Sequence, residues 1–169
     1  MNVRLTPKND FSTCKGFSVL ELLIVVVMIL IVISFTLESM ARFQKPVLRT
    51  NAARQFENYL EQARNDSMRR RATVSPQMAQ VTILNDRYYS VTMDANGDGV
   101  LDMPIVVSLV EQHITLNGPF PRSFMFNSLG KAVDLNQNVI QPTAITVANA
   151  SGASMVKLSD AGRPFMVQP

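Results

Sequence analysis

From Phe17 to Phe35 every position is apolar except Ser18, Glu21 and Ser34. As a helix this run is about 28 Å long, close to the roughly 30 Å of a bilayer core. The helical pattern continues beyond it. Leu48, Ala52, Phe56, Leu60, Ala63 and Ser67 recur every three or four residues, while Arg49, Asn51, Arg54, Glu57, Glu61 and Arg64 take the other sides. That spacing predicts an amphipathic helix with one face on a globular domain. The two halves together predict one helix over residues 17–70, and Pro46 is its expected interruption because it lacks a backbone donor.

Past Arg71 the period changes to two. Met78 to Leu84 alternates and is rich in β-branched residues, Asn85-Asp86-Arg87 is a turn candidate, and Tyr88 to Met93 reads as a second strand. Pro104 to Glu111, His113 to Leu116, Ser123 to Asn127, Ala144 to Ala148, Ser154 to Leu158 and Phe165 to Val167 read as further short strands. Asn117-Gly118-Pro119 breaks the chain between them. The expected fold is α+β: one long N-terminal helix, with a membrane half and an amphipathic half, packed on a curved, mostly antiparallel sheet. The expected organisation is a polar lead-in over residues 1–16, an apolar helix half over 17–37, an amphipathic half over 38–71 and a β-rich domain over 72–169.

The apolar run admits three readings. A secretory signal has an apolar region of about 7–15 residues and a small-x-small cleavage site. This run is longer, and the nearest such site, Ser39-Met40-Ala41, follows the charged Glu38. A plain single-pass anchor explains the length but not Glu21, since a carboxylate within a spanning helix costs about 2.5–3.5 kcal/mol and needs a partner. The third reading supplies one. Arg4, Lys8 and Lys15 precede the run, which places the N-terminus in the cytoplasm and the C-terminal part outside.

Lys15-Gly16-Phe17-Ser18-Val19-Leu20-Glu21 resembles the processing motif of type IV prepilins: a glycine, an aromatic residue, and a glutamate fifth after the cut. The resemblance implies cleavage between Gly16 and Phe17 by prepilin peptidase and N-methylation of the Phe17 amine. It also implies that Glu21 neutralises the N-terminal amine of a neighbouring subunit in an apolar filament core, in keeping with the rule that buried charges are tolerated mainly when paired. Ser18 stands where threonine is common.

Three further segments resemble the GspH/FimT branch of minor pilins and type II secretion pseudopilins. They are Ala63-Arg64-Asn65-Asp66-Ser67-Met68-Arg69-Arg70, Phe124-Met125-Phe126-Asn127-Ser128-Leu129-Gly130, and Leu158-Ser159-Asp160-Ala161-Gly162-Arg163. The branch implies an inner-membrane subunit with a periplasmic C-terminal domain, which assembles with other pilins or pseudopilins into a type IV pilus or a secretion pseudopilus. Some members bind DNA for uptake and carry a further basic residue after the last motif; here Pro164-Phe165-Met166-Val167 follows.

Composition narrows the chemistry. The net charge is +3 and there is one cysteine, Cys14, so no internal disulfide can form. From residue 73 onward five basic side chains face seven acidic ones, which disfavours a nucleic-acid partner. Arg69-Arg70-Arg71 reads more simply as cations complementing a helix C-terminus than as a phosphate site. Asp94, Asn96, Asp98 and Asp102 resemble the front of a calcium loop, with Gly99 at the sharp turn. The acid at position twelve is missing because Ile105 stands there, and a metal-free turn explains the same residues. His113 is the sole histidine and has no evident catalytic partner. No phosphate loop, zinc spacing or nucleophile motif is present, so the expectation is a subunit of an assembly and not an enzyme.

Overall fold

The computed structural model describes residues 18–141 and 143–167, with the backbone alone for 37–39, 41 and 42. The chain divides between Met40 and Ala41 into two compact units, and a single helix, α1 (Val19–Arg70), contributes to both. Ser18 opens this helix. Its hydroxyl accepts from the Leu20 N–H at 3.3 Å and its carbonyl from the Leu22 N–H at 3.1 Å. Glu21 sits in the first turn, so Ser18 to Glu21 has the serine-x-x-glutamate spacing of a capping box.

Within the first unit the stretch Val19–Thr36 is long and apolar enough to cross a membrane, and none of it is buried.

The second unit is built on the amphipathic half of α1. Ala52, Ala53, Phe56, Leu60 and Ala63 are at most 3% exposed, and they join Val81, Tyr89, Phe124, Ile145 and Val156 in one core. The three- and four-residue steps put them on one stripe. Leu48, expected on that stripe, is exposed. Ser67 belongs to it because its hydroxyl accepts the Ala79 N–H at 2.8 Å, so the buried oxygen is satisfied. Phe56 and Tyr89 meet edge to face with ring centroids 5.1 Å apart, a favoured aromatic geometry.

The helix assignment runs unbroken through Pro46, where an interruption was expected. One proline removes one helical donor, and the adjoining turn is tied from outside. Asn149 Nδ2 donates to the Lys45 carbonyl at 2.7 Å and Arg49 Nε to Ser154 Oγ at 3.1 Å. At the other end Ala72 N–H reaches Ser67 O and Arg71 N–H reaches Met68 O. This is the paired bonding of a Schellman cap, with Arg71 at φ 53° in the position glycine usually takes.

Among the described residues nine strands follow: β1 (Gln80–Ile83), β2 (Tyr88–Thr92), β3 (Ile105–Ser108), β4 (Thr115–Asn117), β5 (Arg122–Phe126), β6 (Ala132–Val133), β7 (Thr143–Asn149), β8 (Gly152–Leu158) and β9 (Pro164–Val167). All pairs are antiparallel. They form two sheets where one curved sheet was expected, in the orders β3-β2-β1-β5-β6 and β4-β7-β8-β9. Both sheets place their inward residues in the core shared with α1. The two-residue β6 has too short a run to show a period and escapes sequence reading. The architecture is α+β, with a long N-terminal helix packed on antiparallel sheets.

Candidate functional site

Three groups of residues carry the chemistry anticipated from the sequence. The first is the start of α1. Gly16 and Phe17 lie outside the described residues. Glu21 is exposed on the first turn, and the apolar residues that follow it, from Leu22 to Phe35, are 46–73% exposed. A face so uniformly apolar is not one that water stabilises. The carboxylate at its head is the single charged group of the stretch.

The second group is the arginine cluster and the acidic loop, which the fold brings together. Asp66 is buried on α1 and accepts from Arg70 Nη2 at 2.6 Å, Arg70 Nε at 3.0 Å, Arg69 Nη2 at 3.1 Å and the Asp94 N–H at 3.2 Å. Arg69 Nη2 also donates to Asp94 Oδ2 at 3.0 Å. Two carboxylates and two guanidiniums thus neutralise one another where α1 meets the loop after β2. Burial is the largest single influence on Asp66 and opposes its ionisation. The bonds from Arg70, the Asp94 amide and Arg69 together outweigh it and hold the carboxyl below the usual carboxylate range. Arg69 and Arg70 are therefore structural ion-pair partners rather than free cations at a helix end; Arg71 alone of the three is exposed without such a bond among the described residues.

The calcium-like ligand set can be tested against these contacts. Asp94 Oδ1 accepts from the Gly97 and Asp98 N–H groups at 2.6 and 3.2 Å, and Oδ2 from the Gly99 N–H at 2.9 Å as well as from Arg69. Asp102 Oδ2 accepts the Ala95 N–H at 2.7 Å. Asn96 turns its amide nitrogen toward Asp98 and Asp102. Calcium needs six to eight converging oxygens. Here the first of them is already occupied by backbone donors and a guanidinium, and among the described residues no group of three or more His, Cys, Asp or Glu side chains could hold a metal. Arg69 stands as the counter-charge of the loop that carries Asp94, Asn96, Asp98 and Asp102.

The third group was visible only as three separate motifs. Arg64 Nε on α1 donates to the Gly130 carbonyl at 3.1 Å. A Cβ on Gly130 would stand 2.7 Å from Met68 Sδ, and one on Gly162 would collide with the Gly130 carbonyl oxygen. Both glycines have positive φ, 73° and 74°, which side chains other than glycine adopt at a cost. The helix end, the β5–β6 turn and the β8–β9 turn thus lock together at one point. Their chemistry is close packing, not ligand binding.

His113 lies in a turn, with its N–H donating to Val110 O at 3.0 Å, and not in the strand expected from residue 113; β4 begins two residues later. It borders a pocket of about 240 Å³ with Arg87, Val110, Ile114 and Thr115, none of which pairs with it as an acid or nucleophile.

The serine-x-x-glutamate box at Ser18 is the one feature at these sites that the sequence displayed and that pattern reading passed over. No protein-family model matches the chain, and comparison with curated proteins and with solved structures finds no significant match.

Proposed function

We propose that this chain is a prepilin-like subunit, a minor pilin or pseudopilin of the GspH/FimT kind, that works by assembly rather than catalysis. Hydrolysis of the Gly16–Phe17 bond by prepilin peptidase removes the leader. The freed Phe17 amine is methylated, and the apolar helix leaves the inner membrane for a bundle of similar helices in a type IV pilus or a type II secretion pseudopilus. The globular unit stays on the outside and selects neighbours.

The observation that supports this reading is the pairing of a fully exposed apolar helix with one carboxylate, Glu21, one turn from its start. Hydrocarbon accepts the first and penalises the second. A positive N-terminus on an adjacent subunit resolves the conflict, and cleavage is what creates it. A role in DNA uptake finds less support, because Arg69 and Arg70, the densest basic cluster, are engaged by Asp66 and Asp94.

The test is the intact mass of the protein recovered from cell envelopes. The expected species begins at N-methylated Phe17. A chain retaining residues 1–16 overturns the reading. Glu21→Ala is expected to insert in the membrane normally and to lose incorporation into filaments, and unchanged incorporation counts against the proposed ion pair.

A further inference from the structure

The open edge of the five-stranded sheet does not look like an edge that water is meant to meet. Across that sheet Ile105, Val91, Val81 and Phe124 are successive lateral neighbours on one face. Val91, Val81 and Phe124 are at most 1% exposed, yet Ile105 is 47% exposed. The core row simply runs out of cover at β3. Val106 on the opposite face, and Met103 and Val100 just before the strand, are 59%, 90% and 67% exposed. Natural edges are usually guarded by charges, bulges or a covering segment. Strand β3 reads Ile-Val-Val-Ser, has no charge, and among the described residues pairs only with β2. Its outward backbone donors and acceptors, flanked by apolar side chains on both faces, suit one kind of occupant: an added strand.

The rim says which strand. Asp98 and Asp102 lie ahead of β3 and Glu111 after it; of the nearby cations, Arg69 is already bonded to Asp66 and Asp94, and Arg87 is shared with Asp86 at 3.6 Å. Antiparallel pairing of β3 with β3 of a second copy brings the Asp102 end of each against the Glu111 end of the other, and like charges facing across strands destabilise the pair. We infer that β3 is a docking edge for an extended apolar segment of another protein whose ends carry Lys or Arg. The main-chain ladder supplies affinity, the exposed valine and isoleucine positions supply the apolar contact, and the acidic rim selects against self-pairing.

The full-length protein in detergent micelles is titrated with three labelled peptides and followed by fluorescence anisotropy. One has an alternating Val-Thr core with lysine caps, the second has the same core with glutamate caps, and the third is the lysine-capped peptide with a central proline. Saturable binding of the first is expected, at least about tenfold tighter than either other and weakening as salt is raised. Amide hydrogen exchange of residues 105–108 slows when it binds. Val106→Lys, and independently Met103→Lys at a position where the fold has nothing to lose, each weaken binding about tenfold. Equal affinity for the three peptides, or binding that neither variant alters, overturns the assignment. Slowed exchange at 105–108 in the protein alone with rising concentration also overturns it, by naming a second copy as the occupant.

Discussion

The two halves of α1 share one backbone geometry and differ in everything that touches it. Between Leu22 and Phe35 every apolar side chain is exposed, and no stripe is distinguished from any other. Between Ala52 and Ser67 a single stripe is buried and several polar groups on or beside it have partners: Ser67 with Ala79, Arg64 with Gly130, Asp66 with Arg69 and Arg70. Among the described residues nothing covers the first half. The second carries its surroundings with it. A helix can thus be equally regular in two places while its stability comes from different sources.

The contrast can be broken most directly by truncating one side chain in each half. Phe56→Ala is expected to cost the globular unit about 3–5 kcal/mol, whereas Ile29→Ala changes its unfolding by less than about 0.5 kcal/mol. Denaturant titration in micelles reads both, and comparable losses would erase the distinction.

The locked turns sharpen the same contrast. Gly162→Ala drives a methyl into the Gly130 carbonyl and is expected to cost about 2–3 kcal/mol. Gly99→Ala, with nothing within 4 Å of the new methyl, costs only about 1 kcal/mol from its backbone angle. Thermal melts of the two variants should differ accordingly.

A carboxylate in each half gives a third comparison. Folding lowers the Asp66 pKa below its ordinary carboxylate value, so the unfolded chain binds that proton more readily. The stability Asp66 contributes is complete above that value and falls away as pH drops through the lower, folded one. Asp66→Asn is expected to cost about 1–3 kcal/mol near neutrality, a loss that shrinks in strong acid. Glu21→Gln leaves the unfolding of the globular unit unchanged. Denaturation midpoints across a pH series check both.

A smaller effect, of opposite sign, lies at the cap. Arg71 holds a left-handed angle that glycine adopts freely, so Arg71→Gly is expected to gain about 1 kcal/mol, seen as a higher melting temperature.

Much of this was legible from residue patterns. The stripe from Ala52 to Ser67 carried the helical period, and the runs at residues 80–83, 88–92 and 122–126 carried the strand period. What pattern reading missed had short or non-local causes. Strand β6 is two residues long. His113 sits in a turn because its N–H is drawn to Val110. Arg69 and Asp94 meet at 3.0 Å across 25 positions, and their spacing in the chain gives no hint of it. That meeting also explains why a loop with calcium-like residues, Asp94, Asn96, Asp98 and Asp102, has its first carboxylate engaged by a guanidinium.

The amino-acid order alone determined an apolar helix half bearing one acid, an amphipathic half after it and antiparallel strands beyond. Those properties follow from neighbours three or four, or two, positions apart, where backbone geometry sets which side chains share a face. Only the tertiary structure decided that the strands divide into two sheets, that Gly130 and Gly162 stack beneath Arg64, and that β3 pairs with β2 alone among the described residues. Each of these depends on which distant segments close on one another, and that choice is made by packing the whole core at once.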